Sequence, residues 1–383
     1  MRIVIDVTAL LPCMTGIDTY LMQLVTHLVK GNPEHDYLLC HNYEDRRLFA
    51  GNLSQPTLRL AVSTRHRPVR LFSQQCLLPA AAVAWRADVV HSPSFIMPCI
   101  RGSARHVLTV HDMTSFSHPQ CHIALRRSGL YKRMVLASLR RAHAVIVPSQ
   151  ATRQAILEVF TNIPPERIHV TPYGIGEEFK PYNHAEIRDI LTRLKLPQPY
   201  ILYLGTIEPR KNLSTLVESY RRLVLSGAIK EHLVLAGRLG WNYHSLLEQI
   251  DDPALCGRVH LVGYIDQEAL PALYAGARLF VYPSLYEGFG FPPLEAMACG
   301  VPVISARNSS LVENLEGAAE LVDSGDIVGL SHAMRCVLTD DDMRAMLRTR
   351  GLERASHYRW DRTAKETVKV YQSAMTVPAE NRY

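Results

Sequence analysis

The chain has 383 residues, of which 47% are hydrophobic and 20% charged, and its formal net charge is +6. These values exclude an intrinsically disordered protein, and the length predicts two domains rather than a single core. No apolar run reaches the roughly 20 residues that span a bilayer. Asp6 stands where a signal peptide needs its apolar segment, so we expect a cytoplasmic protein.

In chain order, the first half alternates short apolar strands with amphipathic helices, which is typical of a parallel sheet covered by helices on both faces. The predicted strands are Ile3–Val7, Tyr37–Cys40, Asp88–His91, His106–Val110, Ala144–Val147 and Ile168–Thr171. The predicted helices are Asp18–Val29, Leu125–Arg141 and Gln150–Phe160, the last capped by Ser149.

The segment 172–176 interrupts any regular element, and the same alternation begins again after it. The predicted strands are Tyr200–Gly205, His232–Ala236, Val259–Val262, Arg278–Tyr282, Val301–Ser305 and Ala319–Val322. The predicted helices are Leu213–Leu225, Gln267–Ala275 with Asp266 as its cap, Pro293–Cys299, Asp326–Leu338 and Trp360–Ser373. The predicted domains are therefore residues 1–175 and 176–355, followed by a C-terminal helical segment, 356–383, that crosses back toward the first domain.

The predicted fold class is α/β, with two Rossmann-like, doubly wound domains that face each other across a cleft. Ligands of such sheets bind at the carboxyl ends of the strands, so we expect a site between the domains. The architecture alone leaves the chemistry of that site open.

Charge is unevenly shared between the two halves. Residues 1–180 hold 20 Lys/Arg and 12 Asp/Glu, whereas the remainder holds 22 and 24. The basic half indicates an anionic partner such as a lipid-linked phosphate or a membrane surface, or else arginines that only keep the protein soluble. Nucleic acid is less favoured, because no aromatic residues are interleaved with the charges. The predicted helix Leu125–Arg141 carries six of these cations and is the candidate for contact with anionic headgroups, the alternative being a solvated helix face.

Two glutamates with seven residues between them stand in the segment 284–303, which opens where a strand ends. Because proline suits the first helical position, we expect a helix to begin close to Pro293 and to carry Glu295 in its first turn. Glu287 would then lie in a glycine-rich turn, where Gly288 and Gly290 allow close backbone approach to an anion. The alternative is an ordinary helix start with a glutamate placed favourably for the helix dipole.

A second segment, 205–213, places two adjacent cations after a buried strand that ends in glycine. Helix starts normally prefer anions, so Arg210 and Lys211 are unfavourable neighbours of the helix that follows. Together they would bind a pyrophosphate, although a solvated surface pair remains an alternative.

Two further candidates follow strands of the first half. Gly16 lies in a turn between the first strand and the first helix, where a phosphate often binds, but the dinucleotide fingerprint is absent. His111 follows the strand His106–Val110, a position that suits either a ligand contact or a structural histidine.

Several chemistries are excluded by missing motifs. There is no Asp-x-Asp motif flanked by strands, since Asp340 and its two neighbours stand at a helix start and indicate capping. Walker, nucleophile-elbow and His-Glu-x-x-His motifs are also absent. Eight scattered cysteines indicate reduced core thiols. We therefore expect no metal site and no cofactor. If a pyrophosphate leaves, its charge must be met by Arg210, Lys211 and backbone amides rather than by a metal.

These segments together resemble the retaining glycosyltransferases of family 4, which have the GT-B fold. The resemblance covers nearly the whole chain and is strongest over 200–305. It implies that Glu295 holds the donor ribose, that Glu287 contacts the donor sugar near its 3-hydroxyl, and that Arg210 and Lys211 neutralise the diphosphate. Further implied donor contacts are Gly16, His111, Tyr264, Gly288, Phe289, Gly290 and Phe291. Position 15 is Thr where the family often has a second glycine.

The sequence of the segment 288–295 is similar to that found in bacterial surface-polysaccharide enzymes that use GDP-sugars, often mannosyl- or rhamnosyltransferases. The resemblance thus implies a nucleotide-sugar donor, GDP-mannose favoured, and a glycan or lipid-linked glycan acceptor. A GT-B epimerase or phosphorylase and a non-catalytic nucleotide-sugar-binding protein are the alternatives. Neither the extra acid/base groups of an epimerase nor a cofactor lysine is visible, and an NAD dehydrogenase would need glycine where Pro293 stands.

Overall fold

A computed structural model describes residues 1–10, 16–42, 56–60, 67–100, 102–121 and 129–376. Within these ranges the chain forms two compact units. The first comprises the described parts of residues 1–119, 124–174 and 359–383, and the second those of 120–123 and 175–358. Each unit is built on its own parallel sheet, as the alternating pattern predicts.

The sheet of the first unit has the order β3-β2-β1-β4-β5-β6-β7. Its strands are β1 (Arg2–Asp6), β2 (Asp36–His41), β3 (Thr57–Arg59), β4 (Val89–Ser92), β5 (Arg105–Thr109), β6 (Ala144–Val147) and β7 (Ile168–Val170). Each predicted strand is confirmed to within one residue. The edge strand β3 was not predicted, because three residues are too few to show an alternating pattern.

Helices cover both faces of this sheet. They are α1 (Gly16–Gly31), α2 (Arg67–Phe72), α3 (Leu78–Ala84), α4 (Thr114–Ser117), α5 (Gly129–Arg141) and α6 (Gln150–Val159). One π-helical turn, Ser73–Leu77, joins α2 to α3 in a helical segment that was not predicted. The expected start of α5 at Leu125 lies outside the described residues. Ser149 caps α6 as predicted, since its Oγ accepts from the backbone N–H of Thr152 at 3.1 Å.

Strand register shows which helices share a face of the first sheet. Val90 pairs with Val4 on one side and with His106 on the other, so Leu108, two residues further along β5, points to the same face as Val90. Helix α3 packs on this face through Leu78, next to Val90. Helix α5 packs on the same face through Leu139, next to Leu108. The two helices therefore lie side by side on one layer.

The second unit has a sheet of order β10-β9-β8-β11-β12-β13. Its strands are β8 (Tyr200–Leu204), β9 (His232–Ala236), β10 (Val259–Gly263), β11 (Leu279–Tyr282), β12 (Val303–Ala306) and β13 (Glu320–Val322). Its helices are α7 (His184–Arg193), α8 (Leu213–Leu225), α9 (His244–Ile250), α10 (Leu270–Ala275), α11 (Phe291–Ala298), α12 (Ser309–Leu315), α13 (Ile327–Thr339) and α14 (Asp341–Ser356).

Two details of the predicted helices are wrong. Helix α11 begins at Phe291 rather than at Pro293, with Gly290 as its N-cap at φ 89°, so Glu295 lies beyond the first turn. Asp266 precedes a 3-10 turn, Gln267–Ala269, and its side chain makes no capping hydrogen bond there. The capping role of Asp340 is confirmed, since its carboxylate accepts from the N–H of Met343 at 2.9 Å.

The last helix, α15 (Trp360–Thr376), belongs to the first unit. Tyr371 lies 2.8 Å from Nδ1 of His91, whose Nε2 lies 2.8 Å from the hydroxyl of Thr109. Burial lowers the pKa of His91 to about 3, with a smaller contribution from His111. This buried chain of hydrogen bonds fastens α15 to the sheet face opposite α3 and α5.

Within the described ranges, no helix combines the length and the apolar character needed to cross a bilayer. Seven cysteines fall in the same ranges and all of them are free thiols.

Candidate active site

The strongest cluster of candidate residues lies where the strand order of the second sheet reverses. Strands β8 and β11 pair in parallel, so the loops after both strands leave the same edge of the sheet. The loop after β8 carries Arg210 and Lys211, and the loop after β11 carries Glu287. Because β9 and β11 flank β8 on opposite sides, this edge is the topological switch point where doubly wound sheets bind ligands.

Hydrogen bonds to main-chain carbonyls fasten the two loops to each other. The N–H of Leu285 donates to the carbonyl of Arg210 at 2.8 Å. The side chain of Asn212 donates to the carbonyl of Pro283 at 3.3 Å, and Asn212 itself has a left-handed backbone at φ 53°. The positions of the two cations relative to Glu287 are thus set by main-chain contacts and not only by their own side chains.

Glu287 gathers four donors on one carboxylate oxygen, Oε1. Lys211 Nζ lies 2.6 Å away and a guanidinium nitrogen of Arg210 lies 2.9 Å away. The hydroxyls of Ser284 and Tyr282 donate to the same oxygen at 2.5 Å and 3.1 Å. Lys211 is only 7% exposed. The solvated surface pair that the sequence left open is therefore wrong.

The pKa values of this cluster follow from competition between burial and charge. Burial alone would favour the neutral acid, but the charges of Arg210 and Lys211, with hydrogen bonds from Lys211 and Ser284, outweigh it and lower the pKa of Glu287 to about 2. Burial, together with the nearby Arg210, lowers the pKa of Lys211, and Glu287 opposes that shift. Glu287 is therefore an anion that holds two cations in place.

Glu208 holds Arg210 from the other side. Its Oε1 accepts from Nε of Arg210 at 3.0 Å and from a terminal guanidinium nitrogen at 2.9 Å. Arg210 also donates to the carbonyl of Tyr286 at 2.7 Å. The guanidinium thus bridges two buried carboxylates, and its orientation is fixed before any ligand arrives.

Glu295 lies on α11 in a separate buried environment. Tyr274, from α10, donates its hydroxyl to Oε2 of Glu295 at 2.7 Å. Burial raises the pKa of Glu295 to about 7, and the charge of Glu178 adds to this, against the effect of the Tyr274 hydrogen bond. A hydroxyl that donates a hydrogen bond to this carboxyl group therefore stabilises its ionised form.

The turn Glu287–Gly290 is held by helix α12. Ser310 donates to the carbonyl of Glu287 at 2.9 Å, and Asn314 donates to the carbonyl of Phe289 at 2.7 Å. The ring of Phe289 is buried, so its contribution at the site is limited to its main chain. Gly290 needs its positive φ, and a Cβ there would also lie 2.7 Å from the side chain of Leu311.

Tyr264 follows β10 and is 41% exposed. The guanidinium carbon of Arg238 lies 4.5 Å from the centre of its ring, which is a cation–π contact. Between β8 and β10, the end of β9 approaches β8 so closely that a Cβ on Gly237 would lie 2.0 Å from the carbonyl oxygen of Gly205. Glycine is therefore required at position 237, where a side chain would clash with the main chain of Gly205.

His111 and Gly16 belong to the first unit. The Nε2 of His111 faces the carbonyl of Pro93 at 2.8 Å, so Nε2 carries the proton and Nδ1 accepts from the hydroxyl of Tyr173 at 2.7 Å. Both ring nitrogens are therefore engaged, in the way expected of a structural histidine. Gly16 is exposed and is the first residue of α1, so the helix begins two residues before the predicted start at Asp18 and Gly16 is not in a turn that precedes it.

The sequence did not single out several residues that complete the site. Tyr282, Ser284 and Tyr274 supply hydroxyls to the two key carboxylates, and Glu208 orients Arg210. Only Glu208 left a signal, because it stands two residues before Arg210 in the same turn. The hydroxyl donors depend on strand pairing and on the contact of α10 with α11, which no local pattern reveals.

Among the residues that the structure describes, no group of three or more His, Cys, Asp and Glu side chains is arranged to hold a metal ion. The ion-paired cluster described at the switch point consists of Arg210 and Lys211 with Glu208 and Glu287.

Comparison with known proteins identifies the family. The model of "Glycosyltransferase Family 4" matches residues 14–179, and that of "Glycosyl transferases group 1" matches residues 186–354. The chain is 32% identical over 371 residues to O-antigen chain mannosyltransferase B of Escherichia coli, which covers 94% of this chain and 96% of that protein. It is 29% identical over 280 residues to the serotype-specific mannosyltransferase WbdA of Escherichia coli, where the match covers 72% of this chain and 34% of WbdA.

Solved structures agree on the fold. Sucrose-phosphate synthase from Thermosynechococcus elongatus superposes with a TM-score of 0.77 at 21% identity, covering 97% of this chain and 98% of that one. The two parallel sheets described above are thus those of the GT-B fold. The matching family models, the extent of the similarity to a mannosyltransferase and the fold together show that this chain is a glycosyltransferase of family 4.

Proposed function

We propose that the protein is a retaining mannosyltransferase that transfers mannose from GDP-mannose to a glycan or lipid-linked glycan. The observation that carries the proposal is the buried pair of cations, Arg210 and Lys211, held against Glu287 at the switch point of the second sheet. The names of the relatives support mannose as the sugar, since both of those compared are mannosyltransferases of E. coli.

In this proposal, the donor diphosphate binds against Arg210 and Lys211. The two cations and the two carboxylates that contact them, Glu208 and Glu287, sum to zero formal charge. An arriving diphosphate adds negative charge to a cluster whose donors are already oriented, so little reorganisation is needed during the reaction. In this proposal the oriented donors of Arg210 and Lys211 stabilise the charge of the leaving diphosphate, and we expect activity without a divalent cation.

The two buried glutamates take different hydroxyls of the donor. Glu287, anionic and fixed, accepts from the donor sugar near its 3-hydroxyl. Glu295 accepts from the ribose, with Tyr274 holding the carboxylate in place. The main chain of Gly288, Phe289, Gly290 and Phe291 borders the sugar and phosphate. The exposed ring of Tyr264, with Arg238 against it, stacks on or beside the base.

The reaction is a displacement on the same face of the sugar. The bond between the anomeric carbon and the phosphate oxygen breaks as the acceptor oxygen approaches that face, through an oxocarbenium-like state. The departing phosphate oxygen takes the proton of the acceptor hydroxyl, so nucleoside diphosphate leaves and the anomeric configuration is retained. Arg210 and Lys211 stabilise the charge that develops on the leaving group. Gly16 and His111 of the first unit are proposed as additional contacts to the phosphate and the sugar.

The acceptor side and the location are part of the same proposal. The protein works in the cytoplasm and contacts the inner membrane peripherally, where a lipid-linked acceptor is found. The basic helix α5, with Arg133, Arg140 and Arg141 exposed, supports this placement.

Donor binding is tested by thermal unfolding of the protein with GDP, UDP, dTDP and ADP and their sugar conjugates, all in EDTA. A ligand present at 100 times its Kd adds about 2.7 kcal/mol to the free energy of unfolding. We expect stabilisation by GDP and GDP-mannose that is lost in Glu295→Ala. Stabilisation by another nucleotide would correct the donor, and no stabilisation by any of them would contradict the proposal.

A further inference from the structure

One face of the helical segment from α2 to α3 is apolar and exposed. Phe72, Cys76, Ala80 and Val83 recur at intervals of four, four and three residues, so they lie in line along one side of the helix. Phe72 is 55% and Val83 63% exposed. We call these four residues the apolar stripe.

The opposite face of the same segment already serves the core. Leu78 and Ala82 are buried, in the cluster that includes Val4 and Val90 of the sheet. The segment is therefore held in place without its apolar stripe. Large exposed apolar surface that the core does not need is typical of a binding surface.

A loop links the apolar stripe to helix α5. The side chain of Gln75 donates to the carbonyl of Met97 at 3.1 Å, and the N–H of Met97 donates to Ser138 of α5 at 3.1 Å. The same loop exposes Ile100, which is 69% exposed, and α5 exposes Leu130, which is 70% exposed. Since α3 and α5 pack on the same face of the sheet, Ile100 and Leu130 add exposed apolar side chains to the layer that carries the apolar stripe.

The charge of this part of the chain is strongly positive. Between residues 46 and 157 the sequence holds sixteen Lys and Arg but only two acidic residues, Asp88 and Asp112. Both of these carboxylates already accept hydrogen bonds within the unit, from the N–H of Arg2 and of Thr114 respectively. Arg86, at the end of α3, and Arg133, on α5, are exposed beside the apolar residues.

We propose that this apolar and basic surface docks on an anionic phospholipid bilayer. Phe72, Val83, Ile100 and Leu130 enter the boundary between headgroups and acyl chains, while Arg86 and Arg133 contact lipid phosphates. An interfacial helix with apolar residues on its exposed side and cations around them binds by these two contributions together. A protein partner would be expected to present acidic side chains here, but a bilayer satisfies both the apolar and the cationic parts. The inference deepens the proposed function by naming a lipid-binding surface, and it can be tested without donor or acceptor.

The apolar part is tested by co-sedimentation of the full chain with vesicles of phosphatidylcholine alone or mixed with phosphatidylglycerol. We expect salt-sensitive binding to the mixed vesicles. The triple variant Phe72→Ser/Val83→Ser/Ile100→Ser should lower the partition coefficient by about 30-fold or more. The matched control is Val328→Ser/Leu225→Ser, whose side chains are exposed to a similar degree, 63% and 59%, on the second unit. Cooperative thermal unfolding with the midpoint of the wild type would show that the variants fold.

The basic part is tested with Arg86→Glu/Arg133→Glu, and Arg222→Glu on α8 is its control. The double variant should lose most binding to the mixed vesicles, while the control binds as the wild type. Equal binding of wild type and both surface variants would overturn the proposal, as would equal binding to vesicles with and without the anionic lipid. Sedimentation velocity without lipid tests whether the same surface mediates self-association. A dimer that the triple variant abolishes would assign the surface to self-association instead.

Discussion

The Nζ of Lys211 lies 2.6 Å from Oε1 of Glu287, although the two residues are 76 positions apart in the sequence. Arg210 reaches the same oxygen, so one carboxylate aligns two adjacent cations before a ligand binds. The turn that carries both cations is fastened to the neighbouring loop. In the proposed function, this preorganised cluster stabilises a leaving diphosphate whose charge grows as the sugar departs.

Removing either cation should slow transfer strongly. We expect Lys211→Ala and Arg210→Ala each to lower kcat by roughly 10²-fold or more, since each loses a fixed charge partner of the leaving diphosphate. Arg222→Ala, an exposed arginine on α8, is the matched control and should retain normal turnover. Near-normal rates in both cluster variants would contradict the site assignment.

Glu208 should behave as a positioning residue for Arg210. Glu208→Gln keeps the size of the side chain but weakens its two charge-assisted contacts with the guanidinium. We expect a loss of about tenfold in kcat with little change in KM. In a double-mutant cycle, Glu208→Gln should add little to Arg210→Ala, because the partner it orients is gone. Fully additive effects would show that Glu208 acts elsewhere.

Nucleotide binding should depend on pH through Glu295. The pKa of this carboxyl is raised to about 7, so it is largely protonated at pH 6 and must ionise to accept hydrogen bonds from a ribose. The affinity for GDP should rise with pH up to about 7 and then level off. In Glu295→Gln the part of this pH dependence that comes from the carboxyl group should disappear. The ratio of the GDP dissociation constants of wild type and variant at each pH isolates that part, because the titration of GDP itself affects both constants equally. Titration calorimetry between about pH 5.5 and about pH 8.5, a range that brackets the raised pKa of about 7, measures that ratio. Parallel profiles for both proteins would contradict this role.

The ligand-free protein should lose stability in acid through Glu287. Its folded-state pKa, about 2, lies below its ordinary value, so the stabilisation is complete above the ordinary value and is lost as the pH falls toward 2. The variant Glu287→Gln should therefore be less stable than the wild type at about pH 7, as measured by thermal unfolding. The difference in the free energy of unfolding between the two proteins should narrow between about pH 5 and about pH 2. A difference in stability between the two proteins that does not change with pH would mean that the Glu287 carboxylate is not stabilised by the two cations.

His111 should contribute to the stability of the first unit. Its ring accepts from Tyr173 and donates to the carbonyl of Pro93, both in buried surroundings. We expect His111→Ala to lower the free energy of unfolding by roughly 2–4 kcal/mol, from lost hydrogen bonds and a cavity. The midpoint of thermal unfolding reports this loss. If the unfolding midpoint is unchanged but sugar transfer is lost, His111 would act only through contact with the donor and not through stability.

Much of the fold could be predicted from the sequence, because strands buried on both faces are continuous apolar runs. Strands such as Ala144–Val147 and His232–Ala236 were predicted to the residue. The helical segment from α2 to α3 was missed, because it has apolar residues on both its buried and its exposed sides and so lacks a clear period. The short strand β3 offered too few residues for any pattern.

The site was predictable to the extent that its residues stand in compact segments. Arg210, Lys211, Glu287 and Glu295 were all singled out, and the first three do meet. Their partners were not, since Tyr282 reaches Glu287 only from the end of β11, and Tyr274 reaches Glu295 only because α10 packs beside α11. Such contacts arise from tertiary packing. The buried, mutually neutralising state of the cluster was likewise beyond local patterns, which left a solvated pair open.

The most direct test of the account is the configuration of the product formed from GDP-mannose in aqueous methanol containing EDTA. Methanol serves as a simple acceptor, and methyl mannoside keeps its configuration because it cannot mutarotate. Proton NMR should show methyl α-mannoside from the wild type and none from Lys211→Ala. Methyl β-mannoside, or a product that forms only when a divalent cation is added, would contradict metal-independent transfer with retention.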